Sequence, residues 1–147
     1  ARTVELQQLR ALGVKRRLLL LSEWPSRFEE IPENCDLMVT SLEDLGRLIQ
    51  PQKSYEQRDF GFHLKINSGM NRLGFRIEDF ATEEKLDQLV KLVKEAESLG
   101  HICQGICTHL ASGDEDPEKF SNRQLQVFQN FYKKLKQTIV FQLAIWV

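Results

Sequence analysis

Apolar residues recur at Val4, Leu6, Leu9 and Leu12 with roughly helical spacing and Gly13 follows them, so the pattern predicts a first helix that ends there. Arg17 to Ser22 then holds four consecutive leucines between charged residues and Trp24-Pro25, which suits a short strand buried on both faces. A second strand is predicted over Asp36 to Thr40, and Ser41 with Asp44 forms a capping box opening a helix to about Ile49, before Pro51. Phe60 to Ile66 reads as a third strand, and Asn67 to Gly74 as a loop of small residues. Thr82, followed by Glu83 and Glu84, starts a long helix whose stripe is Leu86, Leu89, Val90, Val93, Ala96 and Leu99, with Gly100 beyond. Ile102 to Leu110 is strand and Ala111 to Pro117 loop. Leu125, Phe128, Phe131, Tyr132 and Leu135 mark a last amphipathic helix, and Ile139 to Val147 a final strand-like run.

Strands thus alternate with helices, the pattern of a parallel α/β architecture, either an open doubly wound sheet or a barrel. Neither Gly-x-Gly-x-x-Gly nor Gly-x-x-x-x-Gly-Lys occurs, so the usual nucleotide-binding turns of the open sheet are missing. No internal repeat or low-complexity linker interrupts the chain.

Composition narrows the class. The 147 residues are 41% hydrophobic and 28% charged with a formal net charge of −1, as in an ordinary soluble protein. Basic residues are interspersed with acidic ones, so no stripe suits nucleic acid or an anionic membrane. The longest apolar run, Leu18 to Leu21, is too short to span a bilayer, and no signal sequence opens the chain, which points to the cytoplasm. Three cysteines without secretory features suggest reduced, buried thiols. Cys103 and Cys107, four apart on a strand, are expected on one side of it, and no partner pair completes a metal site.

Parallel α/β folds gather their chemistry at the C-terminal ends of the strands. His63-Leu64-Lys65-Ile66-Asn67-Ser68-Gly69-Met70-Asn71-Arg72-Leu73-Gly74-Phe75 puts a lysine in a strand and an arginine in the loop after it. Lys65 either points outward or belongs to a polar site, because an unpaired lysine inside a barrel is costly. Arg72 offers a planar fork matched to carboxylate or phosphate, or is a surface arginine in a turn. His109, in Gly105-Ile106-Cys107-Thr108-His109-Leu110-Ala111-Ser112, either meets a bound ring or is a structural histidine. Asp114, Glu115 and Asp116 read as a solvated acidic loop. Trp24 and the Phe128, Phe131 and Tyr132 group read as packing.

Together the two segments resemble the alanine racemase family, where His-Leu-Lys-Ile-(Asp/Asn)-(Thr/Ser)-Gly-Met-x-Arg-Leu-Gly precedes Gly-x-x-Thr-His-Phe-Ala. Gln124 and Phe128 resemble the family's Gln-x-x-x-Phe in the next helix, and weaker similarity reaches back through Leu9 to Val14, so the resemblance covers about residues 3 to 136. It implies a (β/α)8 TIM-type barrel, here partial, with about five parallel strands and alternating helices. In the complete protein a β-rich domain follows, pyridoxal 5'-phosphate sits at the barrel mouth, and two subunits form a homodimer. By the same resemblance Arg72 holds the carboxylate of alanine. Lys65 matches a lysine that is carbamylated in some members and pairs with that arginine, and His109 lies in the network beside the cofactor ring.

The family's two bases, a cofactor-bearing lysine and a tyrosine, have no counterpart here. No Lys-Ala-Asn-x-Tyr-Gly precedes Leu6, and nothing after Gln137 supplies the tyrosine. Residues 138–147 depart from the family's Asn-Ser-Ala and Arg-x-Gly-x-x-x-Tyr-Gly pattern. A complete barrel takes about 250 residues, so the chain is expected to be a barrel-domain piece lacking the first strand, the last strands and the β domain, and to be inactive by itself. The resemblance leaves two further readings: a racemase of another amino acid such as serine, or a non-catalytic fragment that keeps a carboxylate site.

Overall fold

The computed structural model describes residues 2–21, 24–25, 27–50, 60–111 and 120–140. These form helix α1 (Thr3–Ala11), strand β1 (Leu18–Leu20), strand β2 (Cys35–Val39), helix α2 (Leu42–Ile49) and strand β3 (Gly61–Asn67). Strand β4 (Phe75–Arg76), helix α3 (Glu83–Ser98), strand β5 (Ile102–Cys107) and helix α4 (Asn122–Leu135) follow. All strand pairs are parallel. β2 lies between β1 and β3, β5 pairs with β3, and β4 joins only the last two residues of β3.

Alternation along the strands divides the sheet into two unlike faces. Leu20, Leu37, Val39, Phe62, Leu64, Ile66, Cys103 and Ile106 join the core with Leu45 and Leu48 of α2, Leu89 and Val93 of α3, and Phe128, Phe131 and Leu135 of α4. The opposite face is polar. There Asp36 accepts from Arg17 at 2.7 Å through Oδ1, while its Oδ2 lies 3.4 Å from His63 Nε2. Asp36 and His63 are both buried.

Several sequence expectations change. The stretch between β1 and β2 holds a 3-10 turn at Phe28–Glu30 and no α-helix among its described residues. Its filling is aromatic: buried Trp24 donates from Nε1 to the Met38 carbonyl at 2.8 Å and meets Phe28 edge-on, with Arg47 over both rings. α1 buries only Leu6, leaving Val4 62% and Leu12 82% exposed. Polar bonds hold it instead, for Arg10 donates to the carbonyls of Val14, Arg16, Glu33 and Asn34. Leu99, expected in the α3 stripe, sits past the helix end and is mostly exposed. At α2, Ser41 Oγ accepts from Asp44 N at 3.1 Å as a cap should, but Asp44 reaches back to Thr40 rather than to Ser41.

The strand expected over Ile139 to Val147 is coil at Ile139 and Val140, and its remainder lies outside the described residues, as does the acidic loop at residues 114–116. Ile139 is buried and bonded back to Leu135, so it finishes the packing of α4. β4 was hidden from the sequence because two residues carry no periodicity. The two thiols of β5 are also not on one side. The register shifts between Cys103, opposite Phe62, and Gly105, opposite His63, so Gln104 is an extra residue. Cys103 therefore packs in the helix-side core, while Cys107 reaches Met38 Sδ at 3.3 Å on the other face.

Two predictions follow from this packing. A Cβ at Gly61 would collide with Asp36 Oδ1 and lie 2.9 Å from the Arg17 guanidinium. Gly61→Ala should therefore displace that carboxylate and cost about 1–3 kcal/mol in urea unfolding, as overpacking does; an unchanged midpoint would show that Asp36 is not held there. The thiols give the second. Burial raises Cys35 and Cys107 from the usual 9.0 to about 11, the Asp36 charge adding to the rise at Cys35. A raised folded pKa means that the native state keeps its protons while the unfolded chain ionises, so this contribution to stability is complete below 9 and is lost as pH climbs toward 11. The unfolding midpoint should fall across that interval, and less steeply in a Cys35→Ala, Cys107→Ala double variant; equal slopes would refute it.

Candidate functional site

The C-terminal end of β3 sets up the site. Lys65 stands two residues beyond His63 on the polar face, and the chain then turns through Asn67 to Gly74. Asn67 Oδ1 accepts from the backbone of Gly69 at 3.1 Å and of Asn71 at 3.0 Å, which curls the loop on its own stem. An oxygen is all this turn requires, so the amide of Asn67 serves it as a carboxylate would.

Gly74 closes the loop against the strand. It has φ +116, and a Cβ there would stand 2.7 Å from the Lys65 carbonyl and 2.9 Å from Lys65 Cγ. Only glycine permits that approach in that conformation. The backbone after Arg72 is thereby pressed against Lys65, and β4 begins at once.

At the end of β5 the extra residue Gln104 corrects the phase of the strand. Cys107 pairs opposite Lys65, and two residues later His109 arrives at the same mouth. Lys65, Arg72 and His109 line one cavity of about 200 Å³, together with Leu21, Met38, Met70 and Leu73. Lys65 is half-buried, whereas Arg72 and His109 are exposed. The walls are thus thioether and leucine, and the polar groups are two cations and an imidazole. Such a lining suits a small anionic or zwitterionic ligand, with the guanidinium fork on its carboxylate.

A neighbouring cavity of about 360 Å³ shares Met38 and Leu73 and adds Trp24, Thr40, Glu43, Asp44 and Arg47. Two of its charged groups have structural work: Asp44 accepts from both the backbone and the hydroxyl of Thr40, and Arg47 bonds the Pro25 carbonyl while covering Trp24. The smaller cavity is the better candidate.

Three buried polar residues next to the site escaped the sequence reading. His63 and Asp36 lie on the polar face, His63 with its Nδ1 unpartnered among the described residues. The i, i+2 relation of His63 to Lys65 was a usable signal, since residues two apart on a strand share a face. Gln124 was seen only as part of a motif. It is buried under the loops, 2% exposed.

The profile of the family "Alanine racemase, N-terminal domain" matches residues 1–146. The match runs through residues 138–146, which the sequence reading had set apart as departing from the family. Alanine racemase of Streptococcus suis (strain 98HAH33) is 32% identical over 138 residues, covering 91% of this chain and 34% of that protein. Alanine racemase of Streptococcus pneumoniae (strain 70585) is 31% identical over 132 residues, covering 88% and 33%. Among solved structures, alanine racemase of Clostridium difficile 630 in complex with cycloserine superposes with a TM-score of 0.79 at 26% identity, over 99% of this chain and 38% of that one. The enzyme of Streptomyces lavendulae gives 0.80 at 20% identity, a likeness of fold, with 99% and 37% covered. The chain spans about a third of the length of these curated relatives. With its parallel sheet and its match along nearly the whole sequence, the chain belongs to the alanine racemase N-terminal domain family.

Proposed function

We propose that this chain is part of the barrel domain of a pyridoxal-phosphate-dependent alanine racemase and carries the part of the site that holds the substrate carboxylate. The convergence of Arg72, Lys65 and His109 on one cavity at the strand ends carries the reading. Arg72 would take the carboxylate in a two-pronged hydrogen bond, fixing the orientation of Cα. His109 would face the edge of the cofactor. Lys65, pressed beside the Arg72 loop by Gly74, would either repel that guanidinium as a cation or, carbamylated, pair with it.

The lining fits the carboxylate of the substrate and the ring edge of the cofactor, both of which ask for cationic or hydrogen-bonding groups. It fits the aldehyde and the phosphate poorly, because among the described residues Lys65 is the one lysine on this cavity and it is read as the partner of Arg72. When bound, pyridoxal phosphate supplies the electron sink that acidifies Cα. Proton removal and return need two bases on opposite faces of Cα, and neither the lysine nor the tyrosine of the family is present in these 147 residues. The chain by itself is therefore read as binding without turnover. In the complete protein the reading includes a cytoplasmic homodimer whose D-alanine supplies peptidoglycan. A racemase of another amino acid such as serine would share Arg72 and differ in residues that meet the side chain.

Titration calorimetry with alanine tests this. Binding to the chain should weaken by about 1.5–3 kcal/mol in Arg72→Ala, the worth of a hydrogen bond to a charged group. Arg72→Lys should recover only part of it, since a point charge lacks the fork. Incubation with L-alanine and pyridoxal phosphate should yield no D-alanine above the cofactor-only background. Turnover by the chain would mean that a base has been misassigned, and equal affinity in Arg72→Ala would remove the carboxylate site.

A further inference from the structure

We infer that Gln124 is a positioning residue, which locks the loop carrying Arg72 to the segment carrying His109 so that the two reach the cavity as one unit. The role of those two residues rests on the reading given above; the coupling itself rests on geometry.

Gln124 stands in the first turn of α4, beneath both segments. Its Oε1 accepts from the Ala111 backbone at 3.0 Å, two residues past His109. Its other end faces Gly69, three residues before Arg72, where a Cβ would stand 3.2 Å from Nε2 and 3.3 Å from Cγ. One side chain thus bonds one segment and fills the space beside the other.

The amide orientation is dictated by its partners. The Ala111 N–H needs an acceptor, so the oxygen must face it, and the amino group is left toward Gly69 with no acceptor among the described residues. A buried donor without a partner is unfavourable, and a methionine of similar shape would fill the same space without one. The hydrogen bond to Ala111 is what the amide adds beyond packing. A second tie runs beside it: the Ser68 hydroxyl donates to Thr108 Oγ1 at 2.7 Å, and Thr108 donates to the Ile66 carbonyl at 2.9 Å. Residues 68 and 108 are joined by one link and residues 69 and 111 are bridged by the other, so the start of the loop is tied to the exit of β5 at two adjacent residues.

Amide hydrogen exchange on the full chain, read by NMR, separates coupling from simple packing. Gln124→Met deletes the bond to Ala111, so faster exchange there is trivial. The informative amides are Gly69 and Asn71, whose own acceptor is Asn67. Both should exchange about fivefold faster in Gln124→Met, the factor for one lost hydrogen bond, while Leu45 and Val93 stay unchanged, and alanine affinity should fall about fivefold. From the other side, Gly69→Ala, strained at φ +133, should quicken Ala111 exchange in the wild-type background and add nothing to it in Gln124→Met. Acceleration confined to Ala111, or spread evenly over Leu45 and Val93 as well, would overturn the proposal. Failure of the wild-type chain to bind alanine would remove the carboxylate reading alone, and the exchange pattern would still decide the coupling.

Discussion

The close approach of Gly74 to the Lys65 carbonyl is the contact on which the site depends. It forces the chain leaving β3 to fold back on that strand instead of crossing the barrel mouth, and so brings Arg72 to the cavity that Lys65 lines. Any side chain at position 74 would meet backbone, which has nowhere to go. The Asx turn at Asn67, the short β4 and the tie through Gln124 all presuppose this fold-back. Local strain is concentrated there too: Gly69, Asn71 and Gly74 all have positive φ within six residues.

The second organising feature is the contrast between the two faces of the sheet. The helix side is leucine, isoleucine, valine and phenylalanine, an ordinary core. The other side buries Asp36 and His63, whose desolvation is offset by Arg17 and by their own contact. A barrel interior that is polar below its mouth is held by specific geometry more than by bulk hydrophobicity.

Much of this was legible in the sequence where periodicity is long. The α3 stripe from Leu86 to Ala96 needs a helix, and the four-leucine run beginning at Leu18 does hold a strand, although not the one buried on both sides that it predicts, since only Leu20 is buried while Leu21 is exposed. The capping residues Ser41 and Thr82 marked helix starts correctly, each accepting from the backbone three residues on. The misreadings fell where tertiary context decides. Val4 and Leu12 have helical spacing, but α1 meets the rest of the chain through Leu6 and through Arg10 and Gln7, so their side chains stay in solvent. In the site, Lys65, Arg72 and His109 could be named from the motifs. Gln124 was named by its motif but not by its role, and Asp36 only as the start of a strand, because their significance lies in what they touch across 13 and 27 residues of sequence.

The extra residue in β5 has a consequence for how the strand can vary. A pleated strand presents alternate residues to opposite sides, so if Gln104 took an ordinary place in the ladder the parity that packs Cys103 against the helices would also turn His109 toward them. The insertion acts as a half-period delay, uncoupling the two ends of one strand. Before it Cys103 meets the helix-side interior, and after it Ile106 still does so while Cys107 faces the Met38 side, so the residues leading to His109 keep the phase of the mouth whatever the phase at Cys103.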